Sequence, residues 1–215
     1  MRVRSYSFDR YVELVRDFHG YAAPGVLVGG YMVDLAYRHL HKAGLYNALC
    51  ETRKCLPDAI QLLTACTTGN GWLTIHDTGR FAVTFYEKRS RQGIRVSIDT
   101  SKLDFWPEIK TWFLKLKPKA QQEEGRLRAE ISAAGSSICV TRYVKVADRF
   151  IIAKDHGPVV VCPCCNETYP SSVHGLCPDC RGESGFVRLP ESELESNRKT
   201  TDQTYQMASR NLNRR

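Results

Sequence analysis

Two Cys-x-x-Cys pairs, Cys162 with Cys165 and Cys177 with Cys180, fall within 19 residues of sequence. A two-residue spacer turns both sulfurs of a pair toward one point about 2.3 Å away, as a tetrahedral four-thiolate Zn²⁺ site requires. The stretch around them, 158–189, is short and carries few apolar side chains, so metal binding must largely drive its folding. Cys164 lies inside the first pair; joining Cys162 to Cys165 keeps the spacing and leaves Cys164 pointing elsewhere. A closed four-thiolate site has no open position for substrate, which makes one structural zinc per chain the expected cofactor. Redox chemistry, sensing or a different metal is the alternative. His174, between the pairs, reads as a surface residue.

Nine cysteines in all is an odd number, and the first residues, Met1-Arg2-Val3-Arg4, show no apolar signal segment. Metal binding and reduced thiols are therefore expected rather than disulfides, in a cytoplasmic protein. Nowhere do about 18 apolar residues run together, so no membrane association is expected. The formal charge of +8 and the pI near 9.1 raise the question of nucleic acid. Four thiolates holding one Zn²⁺ would lower the charge to about +6. The basic residues are scattered along the chain, which suits a solvated surface and gives only weak support to a polyanion site.

Before the cysteine-rich segment, the periodicities give helices and an antiparallel sheet without a βαβ rhythm, hence an α+β core over 1–157. Phe8, Tyr11, Val12, Val15 and Phe18 form one helical stripe, ended by His19-Gly20. Pro24 opens a longer helix to about Ala43, in which Gly25, Gly29 and Gly30 would let a neighbour approach closely. Leu45–Thr52 and Ile94–Ile98 read as strands, the latter preceded by a Gln92-Gly93 turn. Ile109, Trp112, Phe113 and Leu116 mark one later helix, and Ala120 to Ala133 another. Ile138–Val146 is β-rich, and Phe150-Ile151-Ile152 could add a last strand. Residues 190–215 are polar, either a frayed tail or a helix that orders on a partner.

Cys55 to Phe85 brings Cys, Thr, Asn, His and Asp side chains close together. Pro57 suits a first helical turn, and Thr67-Thr68-Gly69-Asn70-Gly71 stops the helix. Trp72–Ile75 and Phe81–Tyr86 then read as a hairpin closed by His76-Asp77-Thr78-Gly79. His19, Cys55, Cys66, Asp58, Thr67, Asn70, His76 and Asp77 are the candidates for a site. Imidazole and thiolate suit a borderline-soft ion, with a carboxylate orienting the histidine. Were 55–66 wholly helical, Cys55 and Cys66 would stand roughly 16 Å apart and could not share an ion within one chain. Packing is the competing reading for both thiols, and for Cys50 and Cys139 it is the expected one.

The pattern C-x-x-D-A-I-Q-x-L-T-x-C-T-x-G-N-G from Cys55, with D-x-G-R-x-A-x-T-F from Asp77, resembles the FmdE family of formylmethanofuran dehydrogenase proteins. Phe18-His19-Gly20-Tyr21-Ala22-Ala23-Pro24-Gly25, Gly29 and Met32 to Ala36 form a second matching block. With the cysteine pairs, the resemblance spans most of residues 8–185. It implies an FmdE-like core of helices on a largely antiparallel sheet, a treble-clef-like finger behind it, and an intertwined homodimer. Many members read H-G-H-x-C-P-G in the first block, where this chain has Tyr21 and Ala23, so two ligand positions are gone. His19, Cys55, Cys66, Thr67 and Asn70 remain as a candidate core site for a second metal or small ligand. The expected function is that of a metal-binding accessory protein of a molybdenum or tungsten formylmethanofuran dehydrogenase, with no catalytic residues assigned. The alternative is a zinc-finger regulator or metal sensor that binds nucleic acid or a partner protein.

Overall fold

The computed structural model describes residues 2–40, 44–150, 157–183 and 185. Ala43, Ile151, Ile152 and the tail 190–215, all part of the expectations above, lie outside them. The chain divides into two compact units, Met1–Ile152 and Ala153–Arg215.

In the first unit a short antiparallel ribbon, β1 (Arg2–Val3) with β2 (Tyr6–Ser7), leads into helix α1 (Phe8–His19). The Ser7 hydroxyl accepts from the Arg10 N–H at the start of α1, and Gly20 ends it with φ at 89°. Helix α2 (Pro24–His39) is buried along nearly its whole length. A Cβ on Gly29 would stand 2.7 Å from that of Ala59, and one on Gly30 2.5 Å from the Tyr11 ring. Those glycines let α1 and α3 (Leu56–Leu63) press against α2, as the sequence suggests.

The sheet has five strands in the order β4 (Leu73–Ile75), β3 (Tyr46–Cys50), β5 (Ala82–Glu87), β6 (Gln92–Ile98) and β7 (Cys139–Lys145). All pairings are antiparallel except β3 with β4. Ala48, Phe85, Ile94 and Val96 face Val26, Val33 and other residues of α2 in one continuous apolar core. Helices α4 (Pro107–Phe113) and α5 (Glu124–Ala134) close it through Ile109, Leu127 and Ile131.

Some expectations need correction. β4 and β5 are not a hairpin: β3 lies between them, and the 76–81 connection runs over its end, with the His76 and Thr78 N–H groups bonded to the Cys50 and Glu51 carbonyls. Gln92 and Gly93 belong to β6, Gly93 opposite Tyr86, and a turn at 88–91 precedes them. Residues Lys119–Gln121 form a separate 3-10 turn, so α5 begins at Glu124. Phe150 ends another 3-10 turn, Asp148–Phe150, and packs on Leu49, Tyr86 and Val146.

The second unit's described residues hold one antiparallel pair, β8 (Val159–Val161) with β9 (Thr168–Pro170), between which the first Cys-x-x-Cys pair forms a loop.

Candidate metal centres

In the finger, backbone geometry assembles the sulfurs. Asn166 takes φ 66°, a left-handed conformation that asparagine tolerates, and its N–H bonds back to the Cys162 carbonyl. The Cys177 N–H reaches Cys162 Sγ at 3.4 Å, and the Cys180 N–H reaches Cys177 Sγ at 3.5 Å. Such donors favour thiolate over thiol. The Cys165 N–H first, and then that of Cys177, pull the Cys162 thiol below its ordinary range. The Sγ atoms of Cys162, Cys165, Cys177 and Cys180 all lie within 4.8 Å of one another. A tetrahedron with 2.3 Å arms has edges of about 3.8 Å, and Cys165 and Cys177 are 3.6 Å apart, so the four fit a Zn²⁺ ion. Cys164 and His174 are exposed and outside the group.

In the core, His19 ends α1 and Asp58 sits in the first turn of α3, where a carboxylate is favoured by the helix dipole. His19 Nδ1 lies 2.5 Å from Asp58 Oδ2, with both side chains partly exposed. Tyr21 stands beside the imidazole, ring centres 5.1 Å apart, and Lys119 Nζ lies 5.1 Å from the Tyr21 ring. Cys55 directly precedes α3 with φ 57°, a strained setting for a residue other than glycine. A Cβ at Gly25 would fall 2.7 Å from that of Cys55, so only glycine seats the thiol here. Burial pushes the Cys55 thiol up and Asp58 adds to this, against Lys54 and Lys119.

Cys66, Thr67 and Asn70 have other partners. Cys66 is buried and donates to the Tyr46 carbonyl at 3.1 Å, and burial raises its pKa. Asn70 Oδ1 accepts from the Thr67 and Trp72 N–H groups at 3.1 and 3.0 Å, and its Nδ2 donates to the Ala65 carbonyl at 2.7 Å. Thr67 Oγ1 accepts from the Asn70 N–H at 3.1 Å. The turn thus engages its own polar groups. Among the described residues, the four finger cysteines are the one set of three or more Cys, His, Asp or Glu with ligand atoms that close together. His19 and Asp58 form a pair, and neither Cys55 nor Cys66 completes a trio with them.

A buried polar group that sequence reasoning missed is Glu51, held by Arg95 and Arg80 at the end of β3. Its one signal is a carboxylate directly after the apolar run Ala48-Leu49-Cys50. His76, Asp77 and Arg53 lie in the same region, Arg53 Nε being 3.6 Å from Asp77 Oδ2.

Comparison with known proteins agrees with this arrangement. A family model described as FmdE, molybdenum formylmethanofuran dehydrogenase operon, matches residues 18–146, and one described as FmdE treble clef zinc finger matches 153–187. A solved structure of a tungsten formylmethanofuran dehydrogenase FmdE-like protein from Syntrophus aciditrophicus is 49% identical, with a TM-score of 0.79. The match covers 86% of this chain and 98% of that one. A curated protein of Archaeoglobus fulgidus, a probable S-adenosyl-L-methionine-binding protein, is 30% identical over 95 residues. That match covers 39% of this chain and spans a quarter (25%) of the relative's length. No helix among the described residues is long and apolar enough to cross a membrane. The treble-clef match and the four-sulfur cluster together assign one structural zinc. The chain belongs to the FmdE family, in the form whose α+β core is followed in sequence by a treble-clef zinc finger.

Proposed function

We propose that the protein is a dimeric, metal-binding accessory protein working beside a molybdenum or tungsten formylmethanofuran dehydrogenase. Its core module is 1–157, its finger 158–189 and its polar tail 190–215. Cys162, Cys165, Cys177 and Cys180 hold the structural zinc. The core offers His19 and Cys55, in a polar cleft, to a second metal or small ligand.

The contact between His19 Nδ1 and Asp58 carries the core reading. A carboxylate on one ring nitrogen fixes the imidazole and leaves Nε2 as the ligand atom, an arrangement that recurs at metal-binding histidines. Because the described residues of one chain supply no third ligand nearby, coordination would be completed by a second copy of the chain or by a small molecule. Support for a dimer comes from exposed apolar side chains flanking α4, Phe105 at 84% before it and Leu116 at 60% after it, which favour burial against a second surface.

The finger suits a protein partner better than nucleic acid. Its described residues carry one arginine, Arg181, which is paired with Glu183, against three carboxylates, while Val159, Val161 and Val173 are exposed. The eight net positive charges reside in residues 1–152, where 23 Lys and Arg face 15 Asp and Glu.

Chelator-stripped full-length protein titrated with Zn²⁺ is expected to bind two equivalents per chain, and His19→Ala one. A single equivalent in the unsubstituted protein rejects the core metal. Sedimentation is expected to give twice the 24.4 kDa chain mass.

A further inference from the structure

Far from His19 in sequence, the inner face of the sheet extends one row beyond the helix that covers it. Phe85 and Ile94 lie buried under α2, in register with Tyr143 on β7. Two residues further along the strands comes a row made of Tyr46, Glu87, Gln92 and Lys145, with Tyr46 opposite Glu87 and Gln92 opposite Lys145. Helix α2 stops at His39, before reaching this row. Among the described residues the space left is a cavity of about 580 Å³, bounded by His39, Leu40, Ile94, Tyr143, Glu87 and Lys145. That volume suits a small molecule.

The walls have a definite chemistry. Glu87 and Lys145 occupy the same row two strands apart, so their Cα atoms are separated by about 9.6 Å and their side chains leave the same face of the sheet. No salt bridge joins them among the described residues. The N–H groups of Ser90 and Arg89 hold the Glu87 carboxylate at 2.6 and 2.9 Å, fixing it while leaving lone pairs free. The Tyr143 ring is 80% exposed and stands edge-on to His39, centres 6.5 Å apart. A ligand carrying both charges meets both ends of this row, whereas one carrying a single charge meets only one.

We propose that this cavity binds a small zwitterion of the amino-acid class with an aromatic or long apolar body. Its ammonium faces Glu87, its carboxylate faces Lys145, and its body lies on Leu40 beneath the Tyr143 ring. The site is separate from the metal chemistry proposed above and stands or falls without it.

Calorimetric titration of the full-length protein with L-tryptophan, L-phenylalanine and L-methionine tests it, with 3-phenylpropionate and phenethylamine as analogues lacking one charge each. Saturable binding of at least one amino acid is expected, weakened by roughly tenfold or more in each single-charge analogue and in Lys145→Met. Tyr143→Ala, which truncates a ring already largely in solvent, is expected to weaken binding by a similar factor. Absence of saturable binding at millimolar concentration overturns the proposal. So does binding that neither substitution changes.

Discussion

Glu51 and Arg95 meet in a two-point ion pair at the end of β3, Nε to Oε1 at 2.6 Å and Nη2 to Oε2 at 3.0 Å, with Glu51 only 5% exposed. Arg80 adds a third contact, 2.8 Å from Oε2, through a largely solvated side chain. Removing one member of such a pair leaves an uncompensated charge, which costs more than the pair itself is worth. Glu51→Ala is expected to lower stability by about 3 kcal/mol, and Arg95→Ala by less, because Arg80 still reaches the carboxylate. Arg80→Ala should cost under about 1 kcal/mol, because its charge stays in water. Urea midpoints, with slopes unchanged, provide the measurement.

The same pair makes stability sensitive to acid. Burial opposes the charge on Glu51, but the Arg95 hydrogen bonds and charge, then Arg80, outweigh it and hold the carboxyl below its ordinary value of 4.5. Well above 4.5 the carboxyl is ionised in folded and unfolded chains alike, and the full contribution is present. As the pH falls below 4.5 the unfolded chain takes up a proton first, and the contribution shrinks until the pH has passed the folded value. Unfolding free energy measured between about pH 7 and 3 should therefore fall more steeply in the unsubstituted protein than in Glu51→Gln.

Loss of zinc should act on one unit alone. The finger has a single antiparallel pair and few buried apolar groups, Val160 among them, whereas metal–thiolate sites contribute on the order of 10 kcal/mol to folding. Chelation or Cys177→Ser is expected to bring the amides of 157–183 to open-chain exchange rates while β3, β5 and β6 stay protected. Cys164→Ser should leave zinc stoichiometry unchanged, since that side chain is exposed and outside the ligand set. Hydrogen exchange with elemental assay reads both outcomes.

What could be read from the chain follows from the range of the forces involved. Helix faces and the Cys-x-x-Cys spacing are local, so Phe8–Phe18, the glycines of α2 and the four sulfurs could be read directly. Strand order is not local. Alternation marks β4 and β5 as strands, but the sequence between them does not show that β3 separates them, because β3 comes from earlier in the chain. The partners of Glu51 were hidden for the same reason: Arg95 is 44 residues away and reaches it only across β5. His19 and Asp58 were both candidates by residue type, yet their pairing needs α1 and α3 packed together.

Asn70 separates structural from ligand roles in the turn between α3 and β4. Its side chain accepts two backbone N–H groups and donates to the Ala65 carbonyl, while Thr67 answers through the Asn70 N–H. These bonds fasten the end of α3 to the start of β4, where the Leu73 N–H also bonds the Thr67 carbonyl. Asn70→Ala forfeits all three side-chain bonds at a partly solvated turn and is expected to cost about 1–2 kcal/mol. Asn70→Asp keeps both acceptor bonds, loses the donor and should recover roughly half of that loss. Metal stoichiometry should be the same in both variants as in the unsubstituted protein. A ligand role would give the opposite pattern, with stability kept and one metal equivalent lost.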